Sequence, residues 1–334
     1  MNHVLDGIRY HESILDTVGG TPLVRLSRVA RDCPAPVLVK LEAFNPGRSV
    51  KDRIGLAMVA AAEREGRLRP GGTIVECTSG NTGVGLAMVA AVKGYRALFV
   101  MPDKVSSEKV RLLKAHGAEV VLTPTQVPPD SPESYYSVAR RVAAETPGAC
   151  LMDQYRNPAN PEAHYRTTGP EIWEQTRGRV THFVAGMGTG GTITGTSRYL
   201  KERNPRVQVV GADPVGSILK HFKETGEIGE SRPYKIEGVG EDFIPAALDF
   251  SMVDRVIECG DRDGLRMTRR LAREEAILAG GSSGMAVWVG LRVAQEATPR
   301  DLVVVLLPDT GERYLSKVHD DAWMAENGFL GGGE

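Results

Sequence analysis

Lys51 stands in the stretch FNPGRSVKDRI (44–54), just after an Asn45-Pro46-Gly47 turn signal and at the head of an apolar-periodic run. Ser49 sits where a helix N-cap would. A cation at the positive end of a helix dipole is disfavoured, and an unprotonated lysine amine attacks carbonyls. Four further stretches are dense in Gly, Ser, Thr and Asn: TSGNTG (78–83), GMGTGGT (186–192), GVGEDF (238–243) and GGSSG (280–284). Such glycines let a backbone approach a ligand, and free N–H groups at a helix start bind anions.

GMGTGG (186–191) has two readings. Its threonines, Thr189 and Thr192, suit a compact phosphate cup with hydroxyl donors. The same letters satisfy G-x-G-x-x-G, with Asp213 about twenty residues further on, as in a dinucleotide site. The motif lies mid-chain, and no other residues supply a hydride-transfer site, which favours the phosphate cup. A Schiff-base-forming lysine together with a phosphate loop points to pyridoxal 5′-phosphate. The alternative for Lys51 is an ordinary solvated residue of a first helical turn.

The elements that must carry these loops alternate along the chain. Strand-like runs are expected at 37–42, 73–78, 97–102, 119–124, 180–186, 207–214 and 302–309. Helical patterns fall at 54–66, 82–94, 106–117 (Ser106 as cap) and 134–145, in a segment ending at Arg203, and near 261–279 and 284–297. Apolar strands spaced by crossover helices predict an α/β fold of two open, twisted, mostly parallel sheets with helices on both faces. In such folds the loops at the carboxyl ends of strands carry the chemistry.

Composition narrows the class. The 334 residues hold 41 Lys plus Arg and 42 Asp plus Glu, with no basic block, which argues against nucleic-acid and membrane-surface roles. The N-terminus lacks the pattern of a signal peptide, and the most apolar stretch, 83–92, is too short to cross a bilayer. Cys33, Cys77, Cys150 and Cys259 are scattered, without metal-ligand spacing, so a reduced cytoplasmic setting and no metal are expected. His116, His164, His182, His221 and His319 show no paired ligand spacing either, and structural or surface roles are expected for them.

Taken in order, NPGRSVKDR, TSGNTG, GMGTGGTITG, EGVGEDFIP, GGSSG and LLPDTGERYLSK resemble the fold type II (β-family) pyridoxal-phosphate enzymes, the cysteine synthase and cystathionine β-synthase family. The resemblance runs from GGTPLVRL (19–26) to WMAENGFL (323–330). It is sharpest for the catalytic core of the cystathionine β-synthase branch, through MPDKVSSEKVRLLKAHGAEVVLTPT, DSPESYY and DQYRNPANPEAHY. It implies a smaller, mobile domain over 46–158 and a larger one from 1–45 plus 159–330, with the cofactor in the cleft between them and 331–334 as a flexible tail. It also implies pyridoxal phosphate held covalently on Lys51, which is the acid/base, and Asn81 on the cofactor's ring hydroxyl. The phosphate would lie on Gly188, Thr189, Gly190, Gly191 and Thr192, and the pyridine nitrogen would face Ser282. Thr78, Ser79, Thr82 and Gln154 would take the substrate carboxylate, and Tyr155, Gly240 and Glu241 would surround the second substrate. A packed tyrosine is the alternative for Tyr155. Asp309 either lies behind Ser282 or caps the next segment.

The activity so implied is β-replacement on serine or an O-activated serine by a thiol, with serine plus homocysteine giving cystathionine in first place. A cysteine synthase using O-acetylserine or O-phosphoserine with sulfide, and a diaminopropionate-forming relative with an amine nucleophile, are alternatives. A nucleotide-dependent oxidoreductase and a non-catalytic partner protein are readings from other classes. The partners expected are small amino acids and a second copy of the chain in a homodimer. Relatives often carry a small residue at the position of Arg48, tyrosine at that of Glu241 and proline at that of Cys77, so the nucleophile stays open. No haem and no regulatory domain pair are expected, since no cysteine precedes Cys33 and the chain ends soon after Leu330.

Overall fold

Runs of β-branched residues between glycine-rich turns form the strands, and the computed structural model describes residues 3–5, 8–78, 80–103, 105, 107–124, 127 and 131–330. In chain order the first strands are β1 (His3–Leu5), β2 (Ile8–Tyr10), β3 (Leu23–Arg25), β4 (Val37–Leu41), β5 (Thr73–Cys77) and β6 (Arg96–Pro102). They are followed by β7 (Glu119–Thr123), β8 (Ala149–Leu151), β9 (His182–Gly186), β10 (Gln208–Pro214), β11 (Arg255–Cys259) and β12 (Val303–Leu307). The helices begin with α1 (Lys51–Arg64), α2 (Asn81–Lys93), α3 (Ser107–Ala115), α4 (Tyr135–Glu145), α5 (Ala159–Arg166) and α6 (Thr168–Gln175). The rest are α7 (Gly191–Arg203), α8 (Leu219–Thr225), α9 (Asp261–Glu275), α10 (Gly281–Glu296) and α11 (Asp321–Glu326).

The chain divides into two units, residues 1–20 with 45–160 and residues 21–44 with 161–334. In unit one, four parallel strands run in the order β7-β6-β5-β8. Residues 1–20, expected with the larger domain, group here. The 3-10 turn Ile14–Thr17 packs on α2, and the Gly19 N–H donates to Asn45 Oδ1 at 2.8 Å. Every residue of α2 from Thr82 to Ala90 is buried, as its nearly unbroken apolar run requires. α1 crosses it where two glycines meet: a Cβ on Gly55 would lie 2.7 Å from the Gly85 carbonyl carbon.

Unit two holds six strands in the order β11-β10-β9-β12-β4-β3, parallel except for the β3–β4 pair. Its core joins Val37 and Val39 of β4 to Val303, Val305 and Leu307 of β12 and to Met285, Val287 and Val289 of α10. β11 is absent from the sequence expectation, because its residues RVIEC include two charges and it lies at the sheet edge, where alternation is weak. β12 ends at Leu307, not 309, before Pro308 removes a backbone donor.

Candidate active site

Unit one gathers Lys51, Thr78, Asn81, Thr82, Gln154 and Tyr155. Lys51 is the first residue of α1 and Asn81 the first of α2. Each lies one turn before the glycine crossing, and a Cβ on Gly85 would fall 2.7 Å from the Lys51 carbonyl oxygen, so both helix starts share one end of the pair. Ser49 is not the N-cap: Val50 occupies that position in helical backbone, and Ser49 Oγ accepts the Lys51 N–H at 3.2 Å. Asp52 folds back under the turn and accepts the Gly47 N–H. Arg48, between them, is exposed and adopts φ 65°, a left-handed conformation that favours glycine.

The loop after β5 is tied to the turn after β8. Thr82 Oγ1 donates to Gln154 Oε1 at 2.6 Å, and Gln154 Nε2 donates to the Cys77 carbonyl at 3.4 Å. Thr78 Oγ1 accepts the Gly80 N–H at 3.1 Å. Ser79 and Ser106 lie outside the described residues, as do residues 331–334. The Tyr155 ring meets Tyr136 edge to face, with centroids 5.9 Å apart. Behind this loop sits Glu76, fully buried, with its carboxyl pushed up to about 8 by burial and then by the charge of Asp153.

Unit two brings the other motifs together at the carboxyl ends of its strands. The loop after β9 enters α7 through Gly190, whose φ is 81°; a Cβ there would lie 2.3 Å from Leu248 Cβ, too close for any side-chain carbon. No acidic residue stands in the first turn of α7, so no side-chain charge there opposes an anion that the helix dipole favours. The Gly240 N–H donates to the Met187 carbonyl at 2.6 Å, and a Cβ on Gly188 would touch the Gly238 oxygen at 3.0 Å. Loops 186–192 and 238–243 are therefore one structure. The Glu241 backbone is pinned by Ser217, whose Oγ accepts its N–H at 3.1 Å, while its side chain is half-buried.

Ser282 is the second residue of α10 and buried. Asp309 does not cap the 3-10 turn Gly311–Tyr314, since Thr310 does. It lies against Gly280 and accepts a hydrogen bond from Tyr314 Oη at 2.7 Å. Burial, reinforced by Asp309, pushes the Tyr314 phenol well up. Asp213, the acid of the dinucleotide reading, is fully buried with Oδ2 on the Lys220 N–H, so it is not presented to a ribose.

One contact escaped the sequence. His164 is fully buried, with Nε2 3.2 Å from Thr192 Oγ1 and Nδ1 2.9 Å from Thr168 Oγ1. It lies behind the start of α7. Residues 28 positions apart carry no joint signal in one sequence. Taken singly, the glycine cradle, helix N-terminus and two threonines of unit two suit a phosphate, and the helix-start lysine of unit one suits an aldehyde.

Residues 14–309 match the family described as "Pyridoxal-phosphate dependent enzyme". The chain is 50% identical over 319 residues to cystathionine beta-synthase of Oryctolagus cuniculus, covering 95% of this chain but 58% of that relative. It is 46% identical over 306 residues to cysteine synthase of Staphylococcus aureus, covering 91% of this chain and 96% of that one. The crystal structure of an O-acetylserine dependent cystathionine beta-synthase from Helicobacter pylori superposes with a TM-score of 0.85 at 37% identity, over 93% of this chain and 99% of that one. The chain thus spans little more than half the length of its mammalian relative.

Proposed function

Because the chain belongs to the family of pyridoxal-phosphate-dependent enzymes, we propose that it catalyses β-replacement on serine or an O-activated serine, with a thiol as nucleophile. The observation that carries this reading is the shared end of α1 and α2, where Lys51 and Asn81 begin helices that cross at Gly55 and Gly85 and Thr82 binds Gln154. Bound pyridoxal phosphate supplies the electron-withdrawing ring that acidifies the α-proton of an attached amino acid.

Lys51 Nζ takes that α-proton and later returns it, and the helix start disfavours its cationic form. Backbone N–H groups of 188–192 and the hydroxyls of Thr189 and Thr192 hold the phosphate, while Asn81 donates to the ring oxygen. Ser282 meets the ring nitrogen with a neutral hydroxyl, which does not keep that nitrogen protonated, as a carboxylate does. Through that neutral contact Ser282 would favour loss of the β substituent over transamination. Thr78, Ser79, Thr82 and Gln154 bind the donor carboxylate, and closing of loop 78–83 with its smaller domain excludes water. Tyr155, Gly240 and Glu241 border the nucleophile.

Serine with homocysteine, giving cystathionine, is the first pairing, supported by the 50% identity to a cystathionine beta-synthase. The second is O-acetylserine or O-phosphoserine with sulfide, supported by the cysteine synthase relative and by the O-acetylserine-dependent structure. We also propose a cytoplasmic homodimer, the assembly that the resemblance implies. No helix among the described residues is long and apolar enough to cross a membrane. The test is a matrix of serine, O-acetylserine and O-phosphoserine against homocysteine, sulfide and small amines, read by product mass. Failure of every homocysteine pairing defeats the cystathionine reading. Failure of all pairings, or a Lys51→Ala variant that keeps the wild-type cofactor absorbance band, defeats β-replacement at Lys51.

A further inference from the structure

Resting on the reading that loop 78–83 takes the donor carboxylate, we propose that Glu76 is the positioning residue of that loop, orienting Gln154, and through it Thr82, from beneath. Glu76 lies near the carboxyl end of β5, paired on both sides, by β6 and β8, and is 0% exposed. An acid is costly there unless it is satisfied. Val75 and Cys77, on the opposite face, pack with Val138 and Ala139 of α4, so Glu76 is not part of that apolar layer. One oxygen, Oε1, accepts the Gln154 N–H at 3.5 Å and faces Cys77 Sγ at 3.9 Å. Among the described residues the other, Oε2, is buried without a hydrogen bond.

The Gln154 side chain passes this anchoring on. Its Oε1 is taken by the Thr82 hydroxyl, its backbone carbonyl accepts Asn160 Nδ2 at 2.7 Å, and Nε2, with one hydrogen toward the Cys77 carbonyl at 3.4 Å, is the donor next to the loop. The preceding residue, Asp153, has φ 50°, an unfavourable conformation for a non-glycine that the turn's own hydrogen bonds, from the Arg156 and Asn157 N–H groups to the Asp153 carbonyl, hold in place. A backbone set this tightly gives Glu76 leverage over where Nε2 points.

Glu76 is poised to report its own role. Burial, then Asp153, raises its carboxyl to about 8, so it is a neutral acid at neutral pH. Cys77 beside it is raised well above the usual thiol range, and Arg140 of α4 acts on that thiol. The charged groups of α2 and β6, Lys93 and Arg96, lie at the far ends of their elements and bind Glu63 and Glu119. Ionisation therefore places an uncompensated anion under a loop whose ligand is itself a carboxylate.

The experiment uses holoenzyme. Propionate, a carboxylate with no amine to titrate, competes with serine, and binding is followed by cofactor absorbance between about pH 6.5 and 9.5. Wild-type affinity for propionate is expected to stay level to about pH 7.5 and to fall about tenfold between about pH 8 and 9.5. Glu76→Gln, which keeps an acceptor but cannot ionise, is expected to give a level profile. Parallel profiles for the two proteins overturn the proposal and leave the donor-site reading standing. Should Glu76→Gln not fold, a wild-type profile without the alkaline fall overturns it just as well. If no serine donor changes the wild-type absorbance at any pH, the donor-site reading fails and the role of Glu76 falls with it.

Discussion

Replacing Gly190 with alanine tests whether the α7 cradle is built for close approach. The φ of 81° puts the new residue in the left-handed region, at about 1–2 kcal/mol. Its Cβ would also lie 2.3 Å from Leu248 Cβ and 2.6 Å from Leu248 Cα, and backbone does not swing aside as a long side chain does. Overpacking of this kind adds about 1–3 kcal/mol, so the total is about 2–5 kcal/mol. Gly226 is the matched control: it has φ 77° at the end of α8 and nothing within 4 Å of an added Cβ, so alanine there meets only the backbone term. At about 2–4 °C per kcal/mol for a unit of this size, Gly190→Ala lowers Tm by about 4–20 °C, and Gly226→Ala by about 2–8 °C. Because the clash displaces the anion-facing N–H groups, cofactor affinity, followed by absorbance titration, falls about tenfold or more in Gly190→Ala and holds in Gly226→Ala. Equal losses of Tm with unchanged cofactor affinity in both variants would refute the cradle argument.

Two more outcomes rest on single side chains. Burial raises the Asp213 carboxyl to about 7 in the folded chain, so the unfolded chain ionises first and wild-type stability falls as pH rises from about 4 to about 7, then levels. Asp213→Asn cannot titrate, and it gains on the wild type across that window by up to about 4 kcal/mol; denaturant midpoints at pH 4.5 and 7.5 check this, and an equal difference at both rejects it. Arg48→Gly relieves the left-handed backbone at φ 65° and is expected to raise Tm by about 2–4 °C, whereas an unchanged or lower Tm would show that the arginine's contacts outweigh the strain.

The longer strands and helices in their order, the four glycine-rich loops and the lysine at a helix start were legible in the chain, because each rests on neighbours in sequence: period-two and period-3.6 patterns, glycine punctuation, an Asn-Pro-Gly turn. Edge strand β11 and the short helices α5, α6 and α8 were not, since their few residues show no periodicity strong enough to stand out. The same limit shaped the site. TSGNTG reads as a ligand loop from its letters, but that Glu76 supports Gln154 from 78 residues away depends on two strands pairing side by side. GMGTGG left a dinucleotide open until folding buried Asp213 and placed His164 behind Thr192. Local pattern sets which groups are present and near which helix start, while burial and long-range pairing set their protonation and direction, because desolvation depends on every atom packed around a group.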